Sequence, residues 1–114
     1  MNEFDTPIFQ KSYDLYKQLH DYRRVVPKQD RYTVFEKAEE SLLSVISHIF
    51  RASTANKESK LMILQRASTE LNLLRVFVRL LKDIKAIDNK KYLLIQSEID
   101  EIGRMLGGWI RSVS

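Results

Sequence analysis

Apolar residues recur at intervals of three and four along most of this chain, the spacing that gathers side chains on one face of an α-helix. Ile8, Leu15, Leu19 and Tyr22 keep that spacing, with Phe9, Tyr13 and Tyr16 beside them. Thr6-Pro7 precedes the pattern with a hydroxyl that caps free backbone donors and a proline pre-set for the first helical position. A first helix is therefore predicted from Pro7 to about Arg24. The segment "VVPKQD" interrupts it, because Pro27 disfavours a helical Val26. A second helix is expected to begin near Pro27 to Asp30 and to end around Ala52, turning Phe35, Ala38, Leu42, Val45, Ile46 and Ile49 inward. The polar stretch "ASTANKES" is a connection.

A third helix is predicted from about Lys57 to Ile87, with Leu73, Phe77, Leu80, Leu81 and Ile84 as its core face. Asp88 caps a fourth, from about Asn89 to Arg111, in which Tyr92, Ile95, Ile99, Ile102, Leu106 and Trp109 alternate by three and four. Four amphipathic helices with short links imply an all-α fold, an antiparallel up-down four-helix bundle. At 114 residues the chain is expected to form a single domain, residues 1–114, without repeats or low-complexity linkers.

Composition narrows the chemistry. There is no cysteine, so disulfides, thiolate metal sites and cysteine nucleophiles are excluded. Apolar runs such as "LMIL" and "YLLI" fall far short of a membrane span, and "MNEFDTPIFQ" has no basic-then-apolar export signal, so a cytoplasmic protein with no membrane partner is expected. The two histidines, His20 and His48, form no arrangement that would activate a nucleophile. The Glu-x-x-His pairs of a di-iron bundle are missing. Glu36, Glu39 and Glu40, like Asp100 and Glu101, read as exposed helix-surface charge. No glycine-rich phosphate loop is present, so no cofactor, no metal and no enzymatic activity are expected.

Charge is more informative. The formal net charge is +4. Between Lys57 and Lys85 there are seven basic and three acidic residues, whereas the remainder is balanced at twelve of each. At about 100° per residue, Lys57, Lys60, Arg75, Arg79, Lys82 and Lys85 fall within an arc of roughly 120°. Arg66 falls on the apolar side, where only snorkelling at a helix edge accounts for it. A cationic row on a rigid rod suits a phosphate backbone, since neutralised phosphates release counterions. It also suits a merely solvated face, or pairing with Glu36, Glu39 and Glu40 of a neighbouring subunit.

All three glycines, Gly103, Gly107 and Gly108, lie in the last helix, where each costs about 1 kcal/mol relative to alanine. Gly103 and Gly107 share a face and predict a close helix contact within the fold or between subunits. Trp109 and Ile110, which seek burial, argue against simple fraying at that end. Arg104 would stand beside the approach.

Four segments, "PIFQKSYDLYKQL", "PKQDRYTVFEKAEESLL", "LNLLRVFVRLLKDI" and "EIDEIGRMLGGWIR", together resemble one family of small four-helix-bundle proteins. It comprises the accessory variability determinants of diversity-generating retroelements and the proteins encoded in intervening sequences of 23S ribosomal RNA genes. "GRMLGGW" is the most specific part. The chain departs from many members in having Val34 and Phe35 after Thr33 instead of Leu-Gly. The resemblance implies a bacterial, non-catalytic protein that assembles into a ring, a homopentamer being typical. In the retroelement group it implies RNA or DNA and a reverse transcriptase as partners. On that basis Arg75, Arg79 and Arg104 are expected to contact nucleic acid or the polymerase. Lys82 and Lys85 join them from the helical wheel, and Gly103, Gly107, Gly108 and Trp109 are assigned to the helix or oligomer contact.

Overall fold

The computed structural model describes residues 6–114, among which every regular element is helical. The reading of the terminus as lacking an export signal falls largely on residues 1–5, which lie outside that range. Helix α1 spans Pro7–Tyr22 and runs into a 3-10 turn, Arg23–Val25. The one-turn α2, Lys28–Arg31, leads to α3, Val34–Thr54. Helices α4, Lys57–Asp83, and α5, Asn89–Val113, complete the chain. The four long helices pack in a cycle, α1 and α4 each lying against α3 and α5, and form a rod of 43 × 23 × 22 Å. The short links make each helix return beside its predecessor, as in an up-down bundle.

Local chemistry places most of the boundaries. Thr6 Oγ1 accepts from the Phe9 N–H, with Pro7 at the first helical position. Asn56 caps α4 through Ser59 N–H, and Asp88 caps α5 through Lys91 N–H at 2.8 Å. That backbone bond, with the Lys91 ammonium, holds the Asp88 carboxyl below its usual range.

Two boundaries differ from the sequence reading. The expected second helix is split, because the chain leaves helical geometry at Tyr32 and Thr33 before α3 begins. β-Branched Thr33 and Val34 are weak helix formers, and Arg31 instead donates to the Val26 and Arg24 carbonyls, tying α2 back onto the preceding turn. The third helix ends at Asp83, four residues before the expected Ile87. Lys85 has a φ of 64°, its N–H donates to Lys82 O and the Ala86 N–H to Leu81 O, which is the bonding of a Schellman stop. Ala86 and Ile87 then turn into the core.

The core follows the expected stripes on α3 and α5. Phe35, Ala38, Leu42, Val45 and Ile49 are fully enclosed and Ile46 partly so. Ile95, Ile99, Ile102 and Leu106 are buried from α5, with Tyr92 and Trp109 packed at the margins. On α1, Ile8, Phe9, Leu15 and Leu19 are buried, whereas Tyr13 faces outward.

On α4 the expected core face is corrected. The buried seam is Leu64, Ala67, Leu71, Leu74, Val78 and Leu81, spaced alternately by three and four. Of the five residues assigned from the wheel, Leu81 is buried and Phe77 partly so, while Leu73, Leu80 and Ile84 remain 40–44% exposed. Apolar residues cover so much of this helix that the wheel offers two stripes, and only the neighbouring helices select one. Arg66 shares the angular position of the exposed stripe and is itself exposed, so it has no burial to explain.

Candidate nucleic-acid interface

The cationic residues of α4 do not stand in one free row, because the seam they flank brings α5 alongside. Arg75 follows Leu74 of the seam, and its Nη1 donates to the Asp100 carboxylate of α5. Gly103 makes that reach possible: a Cβ there would lie 2.7 Å from Arg75 Nη2. Asp100 and Gly103 are three residues apart on one face of α5, so the acid receives one arm of the guanidinium while the glycine leaves space for the other. The close approach expected at Gly103 is therefore made by a side chain of α4.

Gly107 and Gly108 are different. An added Cβ at either would meet nothing within 4 Å except the Arg111 guanidinium of the same helix, at 3.5 and 3.9 Å. Within one chain, no other described helix backbone comes close to them, which corrects the intramolecular form of that expectation.

Toward the α4–α5 turn the cations are more available. Arg79 is 65% exposed, and its Nε lies 3.5 Å from Asp83, an i,i+4 surface pair of small energetic weight. The Lys82 ammonium sits 4.7 Å from the centroid of the Tyr92 ring, which orients the charge and leaves its donors unspent. Lys85, placed by its positive φ, has left the helix and is exposed at the turn. Arg104 is exposed on α5, one residue beyond Gly103. Arg75, Asp100, Gly103 and Arg104 thus share one level of the bundle, with Arg79 and Lys82 one and two turns further along α4. Lys57 and Lys60 lie near the opposite end, so the arc seen on the wheel is two separate patches on the molecule.

Of the acids that read as surface charge, Glu36 and Glu40 are exposed, whereas Glu39, Asp100 and Glu101 prove to be cross-links. Lys11 on α1 reaches Glu101 at 2.6 Å and Glu98 at 3.2 Å on α5, and these two carboxylates raise its pKa above the ordinary lysine value. Glu39, only 7% exposed, accepts from Arg23 Nη1 at 2.9 Å and lies 3.5 Å from His20 Nδ1. The sequence held one signal for this, since Glu39 directly follows buried Ala38 on α3. His48 donates from Nδ1 to the Ser44 carbonyl at 2.7 Å, as a boundary histidine within its own helix. Among the described residues no group of three or more His, Asp or Glu side chains could hold a metal. None of the described helices is long and apolar enough to cross a membrane.

Trp109 packs partly buried against the core. With Thr6, Pro7, Ile8, Ser53, Lys60 and Met105 it lines an apolar groove of about 600 Å³ at the end of the bundle away from the α4–α5 turn.

This architecture has solved counterparts. A crystal structure from Bacteroides thetaiotaomicron, described as a protein of unknown function from the S23 ribosomal protein family, superposes with a TM-score of 0.83, covering 91% of this chain and 95% of that one at 22% identity. At that identity the likeness establishes the fold. No curated protein matches the sequence. The family model described as bAvd-like matches residues 7–113, from the first residue of α1 to the last of α5, and the chain belongs to that family.

Proposed function

We propose that this protein is a non-catalytic accessory factor that binds nucleic acid, RNA or DNA, together with a reverse transcriptase, in the manner of the retroelement accessory determinants. Family membership across residues 7–113 carries the reading. The exposed cations Arg79, Lys85 and Arg104, with Lys82 held over Tyr92, supply the surface that contacts phosphate. Arg75 has a different part: bound to Asp100, it sets the spacing of α4 and α5 beneath that surface. The working form is a cytoplasmic ring, a homopentamer, in which copies of a weakly basic protomer add their patches. The exposed stripe of Leu73, Val76, Leu80 and Ile84, with Val76 at 58%, supports assembly because contiguous apolar surface of this kind favours being covered.

Binding of a single-stranded RNA and of a duplex DNA, followed against salt concentration, tests this. Affinity should fall steeply, with a slope of about −0.7 per neutralised phosphate for the single strand and −0.9 for the duplex. The Arg79→Glu/Arg104→Glu double variant should bind at least about tenfold more weakly, with unchanged helicity. A flat salt response, or full affinity in the double variant, would reject the reading.

The S23-family neighbour supports a second reading, a scaffold of the ribosomal intervening-sequence group that engages protein alone. Its partner would still be recovered after nuclease treatment, and the purified protein would not retard RNA.

A further inference from the structure

The turn between α1 and α3 holds a second concentration of guanidinium groups, on residues outside α4 and α5. His20, Asp21, Arg23, Arg24 and Arg31 line a recess of about 350 Å³, at the small end of ligand-sized pockets. Two of its arginines are fixed by the fold. Arg31 Nε donates to Val26 O at 2.9 Å and Nη2 to Arg24 O at 3.2 Å. Arg23 is held by the buried carboxylate of Glu39, with its guanidinium 4.9 Å from the Tyr32 ring centroid. Val26, 1% exposed, anchors the turn that carries them.

The donors are not exhausted by these contacts. A guanidinium has five N–H groups, and Arg31 commits two of its own to carbonyls, leaving the rest beside the recess. The exposed Arg24 side chain makes no hydrogen bond or ion pair among the described residues, although its carbonyl is used by Arg31. Against these stand Asp21 on the lining and Glu39, whose charge is already engaged by Arg23. Guanidinium groups with unspent donors lining one recess, with Arg31 fixed in place, suit a compact oxyanion, which they bind through charge-assisted and often bidentate bonds. Beside them the Tyr32 ring is 64% exposed, an aromatic surface within reach of whatever the phosphate is attached to.

We infer that this recess binds a single phosphate monoester, the terminal phosphate of a nucleotide, with Arg24 and Arg31 as its ligands and Arg23 as a positioning residue. A monoester carries close to two negative charges at neutral pH and three terminal oxygens. A backbone diester has one charge and two free oxygens, so it uses fewer of the donors that line the recess. The residues of this recess belong to α1, the turn after it and α2, not to α4 or α5, and binding there can be tested with inorganic phosphate alone.

The test is an NMR titration of the folded protein with inorganic phosphate, adenosine 5′-monophosphate and adenosine, following the arginine Nε–H signals. Phosphate and the monophosphate should shift Arg24 and Arg31 selectively, and adenosine should not. Arg24→Gln, at an exposed side chain whose loss leaves the turn intact, should weaken phosphate binding about tenfold, the size of one charged hydrogen bond. Arg51→Gln, on α3, should not change it. An affinity within twofold of the parent in Arg24→Gln, or equal shifts at every exposed arginine, would overturn the assignment.

Two oligoribonucleotides, identical except for a 5′-phosphate or a 5′-hydroxyl, distinguish the source of the group. A preference for the phosphorylated strand that Arg24→Gln removes would assign the recess to a nucleic-acid end. Equal affinities, with the monophosphate still bound at Arg24, would assign it to a free nucleotide.

Discussion

Lys85 occupies a left-handed backbone position, φ 64°, that glycine adopts without strain and lysine does not. It is tolerated because the stop it makes places Ala86 and Ile87 in the core and starts α5 beside α4. Lys85→Gly is therefore expected to raise stability by about 0.5–1 kcal/mol, the relieved strain less the added freedom of the unfolded chain. Thermal melting would show a rise of about 2–5 °C. Lys85→Ala removes the same charge without the strain relief and should give no such rise, which separates backbone from electrostatic causes. The wheel put Lys85 in line with Arg79 and Lys82. It could not show that the helix ends first, because no glycine marks the stop. Asp88, by contrast, was legible as a cap, since its hydrogen bond reaches only three residues along the chain.

At the scale of the helix, the three glycines of α5 have separate causes. Gly103 admits the Arg75 guanidinium, whereas Gly107 and Gly108 face only Arg111. In the isolated chain Gly107→Ala should gain most of the helix-propensity difference, about 1 kcal/mol in urea unfolding, because the new methyl meets Arg111 Nη1 at an ordinary 3.5 Å. Gly103→Ala should gain less, since its methyl displaces Arg75 and weakens the bond to Asp100. Equal gains at the two positions would remove the role given to Gly103. The sequence marked this helix as unusual, and correctly placed its buried stripe. The partner at Gly103 lies 28 positions earlier in sequence, where periodicity within α5 carries no information about it.

On the whole molecule, two apolar stripes run along α4, one buried and one exposed. The Leu64–Leu81 seam is used within the chain. The Leu73, Val76, Leu80 and Ile84 stripe is left uncovered, and the proposed ring places it between subunits. Val76→Glu, an exposed substitution that leaves the seam untouched, should lower the sedimentation-equilibrium mass to that of one chain while preserving helicity. An unchanged oligomer mass would show that the ring closes through another face.

The sequence by itself determined the four long helices, the caps at Thr6 and Asp88 and the buried faces of α3 and α5, because those depend on spacing within ten or so residues. Its family resemblance agreed with the family found over residues 7–113. Tertiary structure decided which α4 stripe became core, which cations kept their donors and which acids became cross-links. Arg75 met Asp100, Lys11 met Glu98 and Glu101, and Arg23 met Glu39 only when separate helices were brought together. A charge acts on whatever lies within a few ångströms, and for these residues the nearest opposite charge comes from distant sequence.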